Sequence, residues 1–295
     1  MYAYKPSLFD KRPALRYFSA FSGIGGAELA IKKLFNDSIC VGYSEIDQDA
    51  IKIYQKHHVR HENYGDINQI DPEMLPEFDL LIGGSLCQPF SLQNTNRKGF
   101  NDPRSDSFKG FVNLLKKCDP RYFLFENVMM QEEERNEITR QLGVPLVILN
   151  SQHFSAQNRK RLYWANFRIP QPPYAPSPNL EDVIDKTFKG TAPMKFRGLL
   201  KTSAPVDRIC AINRVKETNE IRFRDDHKAH TVVGSLCYKT IVAVNGIYRH
   251  LSPIEREQLQ GFPINYTAGV PASARERLIA NAFQVDTICY VLRQM

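Results

Sequence analysis

Through the first 165 residues of this chain, short apolar runs alternate with helical patterns, and nothing else in the sequence restricts the fold as strongly. Leu15 to Phe18 reads as a buried strand and runs into the glycine-rich turn Ser22-Gly23-Ile24-Gly25-Gly26. Ala27, Ala30, Ile31 and Leu34 then fall at i, i+3, i+4 and i+7, one face of a helix. Further strands are predicted at Ile39 to Tyr43, Phe78 to Ile82, Tyr122 to Phe125, Pro145 to Leu149 and Arg161 to Ala165. Helical patterns such as Asp49 to His57 and Ser107 to Lys117 lie between them. Such alternation predicts an α/β fold with a mainly parallel sheet covered on both faces. Ligands of such sheets bind at the carboxyl ends of the strands.

The pattern breaks near residue 170. Pro170, Pro172, Pro173, Pro176 and Pro178 rule out a helix or a central strand there. The expected organisation is a catalytic and cofactor-binding domain over 1–169, a small charged region over 170–230, and a C-terminal segment, 231–295, that returns to the main domain. Within that last segment, strands are predicted at Thr231 to Val233 and Ile241 to Val244, and helices at Ser252 to Gln260 and Ala272 to Phe283. No run of 18 apolar residues suggests a membrane span, and Met1 to Pro13 lacks an apolar signal core, so a cytoplasmic protein is expected. Lys plus Arg number 39 against 32 Asp plus Glu, a formal net charge of +7 that favours a polyanionic partner. The six cysteines form no Cys-x-x-Cys pair and no cluster with histidine, so no metal site or disulfide framework is expected. They leave room for a reduced, reactive thiol.

Residues able to carry chemistry gather at the predicted strand ends. Phe21, Gly23, Ile24, Gly25 and Gly26 form a turn where backbone can approach a ligand closely, with a helix N-terminus behind it. No Gly-Lys-Ser/Thr follows, which disfavours a triphosphate. Glu45 ends the second strand, where an acid can accept from both hydroxyls of a ribose, with Ile46 available to cover a purine. Asp66, followed by Ile67, could accept from an exocyclic amine. Each acid alone is more often a solvated surface carboxylate; together with the glycine turn they favour a nucleoside-bearing cofactor. Past the third strand lies Ser85-Leu86-Cys87-Gln88-Pro89-Phe90-Ser91. A cysteine at the mouth of a sheet is a nucleophile if its thiolate is stabilised, and an inert buried side chain otherwise. Gly234-Ser235-Leu236-Cys237 repeats Gly84-Ser85-Leu86-Cys87 without the Gln-Pro-Phe-Ser that follows, and reads as a chance match. The fourth strand ends in Glu126-Asn127-Val128, where partial desolvation raises a carboxyl pKa. Arg159 and Arg161, two apart on entry to a strand, point to one face and can hold an oxyanion or the Glu126 carboxylate.

In this order, these residues resemble the cytosine-5 DNA methyltransferase family. Phe21 to Gly26 is similar to the family's glycine motif, Glu45 to its ribose acid and Asp66 to its adenine-side acid. Leu86-Cys87-Gln88 resembles its Pro-Cys-Gln, Glu126-Asn127-Val128 its Glu-Asn-Val, and Gln157 to Arg161 its Gln-x-Arg-x-Arg. Leu251 to Pro263 looks like the late motif before the C-terminal helix, and Asn281-Ala282 like the last one. The short recognition region makes the chain resemble the compact de novo methyltransferase catalytic domain. Two departures stand out: Leu86 replaces the proline before the nucleophile, and Ala280 replaces the leading glycine of the last motif, which continues Phe283-Gln284-Val285.

The resemblance implies a Rossmann-like S-adenosylmethionine-dependent methyltransferase fold with a small target-recognition lobe. It implies S-adenosylmethionine as donor, S-adenosylhomocysteine as product, double-stranded DNA as substrate, and no metal. Cys87 would attack carbon 6 of a flipped cytosine, Glu126 would hold ring nitrogen 3, and Arg161 with Arg159 would bind the carbonyl oxygen and orient Glu126. Phe21, Gly23, Ile24, Gly25, Gly26, Glu45, Ile46, Asp66, Ile67, Ser85 and Asn281 would hold the cofactor. Gln88, Ser91, Lys98, Arg104 and Gln157 would contact DNA. Lys195, Arg197, Lys201, Arg208, Arg214, Arg222 and Arg224 are unranked candidates for base-edge contacts. A cognate restriction endonuclease is a candidate partner. Three rival readings remain: a transfer-RNA cytosine-5 methyltransferase, although its Cys-Phe-Thr element is not found; a non-catalytic DNA-binding paralogue; and an enzyme with an altered donor.

Overall fold

In the computed structural model, residues 14–85, 105–190, 200, 203–215, 217–218 and 220–295 are described. Their main body is a six-stranded sheet in the order β2-β1-β3-β4-β7-β5. The strands are β1 (Arg16–Ala20), β2 (Ile39–Ser44), β3 (Leu80–Gly83), β4 (Tyr122–Val128), β5 (Leu146–Asn150) and β7 (Lys160–Ala165). Pairings β1–β2, β1–β3 and β3–β4 are parallel, and β7 runs antiparallel to both β4 and β5. The expected mainly parallel α/β fold is therefore present, with one reversed strand.

Strand alternation divides the core into two layers. Tyr17, Leu80, Ile82, Leu124, Tyr163 and Ala165 face α1 (Gly26–Leu34), α2 (Gln48–His57) and α7 (Val285–Leu292). Phe18, Leu81, Phe123, Phe125, Leu162 and Trp164 face α3 (Asp106–Cys118) and α4 (Glu132–Leu142). The sequence reading found neither α4 nor α7. Glu132, Glu133 and Glu134 open α4, and its buried face is reduced to Ile138 and Leu142, a weak periodic signal. In α7 most positions are buried, so no polar stripe marks a period.

The proline run 170–178 carries no regular structure. Beyond it stands a second, antiparallel sheet in the order β12-β11-β8-β9, made of β8 (Cys210–Arg214), β9 (Ile221–Phe223), β11 (Ile241–Val244) and β12 (Ile247–His250). The boundary expected at 230 falls inside this lobe, which continues to His250. Thr231 to Val233 is not a strand. The pairing residues are Ala229–His230 (β10), which run parallel to Gln157–Asn158 (β6) and tie the two lobes together. The helices α5 (Pro253–Leu259) and α6 (Ala272–Asn281) then lead back to the main sheet. Among the described residues, no helix is long and apolar enough to cross a membrane.

Candidate active site

A cleft of about 420 Å³ opens at the carboxyl ends of β1 to β4. Five stretches of chain reach it: Phe21 to Gly23, Glu45 to Asp47, Gly84 and Ser85, Glu126 to Val128, and Ala280 to Phe283, with Ala50, Arg159, Arg161 and Leu278 completing the wall. The parallel strand ends converge there because each crossover helix starts at that edge of the sheet.

One half of the cleft is organised by Glu45. Its Oε2 accepts from the Gly23 amide at 2.9 Å, and its Oε1 accepts from the Ile46 and Asp47 amides at 2.8 and 2.9 Å. The carboxylate is fixed in place and keeps lone pairs for further donors. Ile46 is 61% exposed on the same wall, an apolar surface beside an acid. Asp47 caps α2 by accepting from the Asp49 and Ala50 amides. The glycine motif splits its duties. Phe21 and Gly23 face the cleft, whereas Ile24, Gly25 and Gly26 lie behind it. Gly25 has φ +87°, and a Cβ there would meet His58 Nε2 at 2.7 Å, so only glycine fits. The buried Ile24 gives its carbonyl to the Tyr266 hydroxyl at 2.8 Å. Asp66 and Ile67 do not line the cleft. Asp66 caps the turn Ile67–Gln69, and Ile67 is 4% exposed, packed in the core.

The other half holds ionisable groups. Arg161 Nε lies 3.3 Å from Glu126 Oε1, each side chain 12% exposed. Burial pushes the Glu126 carboxyl above its ordinary value, against the opposing pull of Arg161 and Arg159. Arg159, 3% exposed, also donates to the carbonyls of Ala280 and Ala282 at 3.1 and 3.0 Å. It thus binds the C-terminal segment to the sheet as well as facing the cleft. Gln260 reinforces this hold by donating to the carbonyls of Ile279 and Ala282. Those grips stop α6 at Asn281, before the predicted Phe283, and turn Asn281, Ala282 and Phe283 into the cleft. Asn127 is 1% exposed and donates to Ser85 Oγ at 3.2 Å, joining the ends of β3 and β4.

The sequence reading of Gln157 as a DNA contact is corrected. Gln157 is fully buried; its Nε2 donates to the Leu259 carbonyl and Gln260 Oε1, and its Oε1 accepts from the Val232 amide. Its amide is spent on joining the lobes. Cys87, Gln88, Ser91, Lys98 and Arg104 lie outside the described residues, as do Lys195, Arg197 and Lys201. Of the remaining recognition candidates, Arg208 pairs with Asp225 at 2.8 Å and Arg224 pairs with Asp226, while Arg214 and Arg222 are exposed. None of the five described cysteines lines the cleft. Burial raises the thiols of Cys118, Cys210 and Cys289, and lifts Cys40 to about 12. Among the described residues, no group of three or more His, Cys, Asp or Glu side chains could hold a metal.

Asn127, Leu278 and Phe283 are cleft residues that sequence reasoning missed. Asn127 sits beside Glu126 in the same motif and was within reach. Leu278 carries no local signal, since only the return of α6 to the sheet brings it there.

Comparison with known proteins gives a consistent result. A sequence model described as C-5 cytosine-specific DNA methylase matches residues 15–227 and 195–295. An orphan methyltransferase of Bacillus phage rho11s, M.Rho11sI, is 43% identical over 162 residues, a match covering 50% of this chain and 32% of that longer protein. The type II methyltransferase M.NgoBI of Neisseria gonorrhoeae is 31% identical over 292 residues, covering 91% of this chain and 89% of its own. Among solved structures, the Entamoeba histolytica methyltransferase EhMeth superposes with a TM-score of 0.69 at 17% identity, covering 96% of this chain and 98% of its own, which establishes a shared fold.

Proposed function

Because this chain belongs to the C-5 cytosine-specific DNA methylase family, we propose that it transfers a methyl group from S-adenosylmethionine to carbon 5 of cytosine in duplex DNA. The observation that carries the reading is the meeting, in one cleft, of the Glu126–Arg161 pair with the Glu45–Gly23 wall.

The second wall fits the donor. Glu45 offers acceptors for ribose hydroxyls, Ile46 and Phe21 offer apolar faces for a purine, and the exposed Asn281 offers an amide. The bound donor supplies an electrophilic methyl group. Cys87 is the nucleophile of this reading. Ser85 lines the cleft, and two peptide steps span at most about 7 Å, which supports a thiol within reach of the same space. The Cys87 thiolate would bond to cytosine carbon 6, and the electron pair displaced to carbon 5 would take the methyl group as its bond to the donor sulfur breaks and S-adenosylhomocysteine leaves. Glu126, its carboxyl raised by burial, gives or shares a proton at ring nitrogen 3 and limits negative charge on the base. Arg161 holds Glu126 at 3.3 Å. The carbon 5 proton then leaves to a base, and the carbon 6–sulfur bond breaks to restore the aromatic ring. The cytosine must leave the stack to present its face to Cys87. The antiparallel lobe, with the exposed Arg214 and Arg222, is assigned to DNA contact.

The test is transfer of labelled methyl from S-adenosylmethionine to duplex DNA, with the product mapped by bisulfite sequencing. The wild-type chain should yield 5-methylcytosine. Cys87→Ala should bind the donor with unchanged affinity and yield none. Activity surviving in that variant would remove Cys87 from the mechanism, and donor binding without methylation of any duplex would overturn the substrate assignment.

A further inference from the structure

The donor cleft has two walls that come from opposite ends of the chain. Glu45, Ile46, Asp47 and Ala50 form one, at the end of β2 and the start of α2, and Leu278 with Ala280 to Phe283 form the other, at and just beyond the end of α6. Arg277 bridges them. It stands on α6 immediately before Leu278 and one helical turn before Asn281, so anchoring its side chain restrains the stretch of helix that bears both cleft residues. Its guanidinium pairs with Asp47 through Nη1, and its Nη2 donates to Asp49 Oδ2 at 3.0 Å. Neither Arg277 nor Asp49 lines the cleft.

The bridge also reaches the group assigned to the donor ribose. Asp47 donates its amide to Glu45 Oε1 at 2.9 Å, and the other Glu45 oxygen accepts from the Gly23 amide at 2.9 Å. One connected path therefore runs from α6 through Arg277, Asp47 and Glu45 to the glycine turn. On the far side, α6 is backed by the 234 segment, where a Cβ on Gly234 would come 3.2 Å from the Arg277 Cα. An isolated pair on a solvated surface is worth little, because it costs side-chain entropy and is screened. This one differs in shape: a forked cation spans two carboxylates on a separate element, which a single ammonium cannot reproduce.

We propose that Arg277 is a positioning residue that latches the two walls of the cleft together and so sets donor affinity without taking part in methyl transfer. The inference rests on the donor reading above.

The experiment measures dissociation constants for S-adenosylmethionine and S-adenosylhomocysteine by calorimetry, alongside kcat at saturating donor and a thermal melt. Arg277→Met should weaken both ligands by about fivefold, the weight of a partly exposed ion-pair network, with kcat within about twofold of wild type. Arg277→Lys should recover only part of the loss. Asp49→Asn should weaken binding in the wild-type background and add nothing in Arg277→Met. That single substitution lies outside the cleft and carries the test if Arg277→Met does not fold. Donor affinity within about twofold of wild type in Arg277→Met, a parallel fall of kcat, or an additive cycle would each overturn the latch. A wild-type chain that binds neither ligand would instead overturn the donor reading.

Discussion

Glu126 stands between two opposed influences. Burial favours the neutral acid, the guanidiniums of Arg161 and Arg159 favour the carboxylate, and burial wins. Its proton is therefore retained to higher pH than on an ordinary glutamate. Where the protonated acid is the working form, kcat/KM falls as pH rises through that raised value. Glu126→Gln should slow transfer by at least ~100-fold and remove the alkaline limb, because an amide has no proton to lose in that range. A pH profile of the variant that keeps the limb would assign it to another group. The place of Glu126 at the cleft was legible in the sequence, since it ends an apolar run within a short motif. Its company was not: that Arg161 pairs with Glu126 while Arg159 also reaches the Ala280 and Ala282 carbonyls depends on where residues 280–282 return.

At the scale of elements, the ends of β3 and β4 set the shape of the half of the cleft that holds Glu126. A Cβ on Gly84 would come 2.7 Å from the Glu126 carbonyl and 3.0 Å from the Phe283 ring. The first contact is with backbone in the middle of a sheet, which cannot give way. Gly84→Ala should therefore cost about 1–3 kcal/mol, the usual range for overpacking, and displace Glu126 or Phe283. The chemical denaturation midpoint and donor affinity should fall together; a variant with wild-type values in both would show that the strand ends yield more easily than this packing implies. The alternation of strand and helix through residue 165 predicted β1, β2, β3, β4, β5 and β7 within a few residues. It failed where burial was one-sided and sparse, as in α4, or nearly complete, as in α7, because a period is visible only when buried and solvated positions alternate.

At the scale of the whole molecule, a buried ion pair joins the small lobe to the C-terminal helices. Arg249 on β12 and Glu255 on α5 meet at 2.6 Å with side chains 2% and 1% exposed. Arg249 also donates to the Asp185 carbonyl, and Glu255 accepts from the amides of Asp185 and Ser252. The 185 stretch is thus fastened to the distant junction of β12 and α5. Arg249→Met would strand the Glu255 carboxylate without its counter-charge, at a cost of about 3–5 kcal/mol. The melting temperature should drop, and a double replacement of Arg249 and Glu255 by apolar residues should recover much of the loss. A melting temperature unchanged in Arg249→Met would mean that solvent reaches the pair.

The sequence alone determined the fold class, the positions of the main strands along the chain and the chemical character of their ends. These follow from local periodicity and from residue types whose chemistry needs no partner to be recognised. Tertiary structure alone decided that Gln157 is a buried joint, that Asp66 and Ile67 stand off the cleft, that the small lobe runs on to His250, and that Leu278 and Phe283 reach the site. Each of those depends on contacts between residues far apart in the chain, and long-range contact leaves no trace in spacing along it.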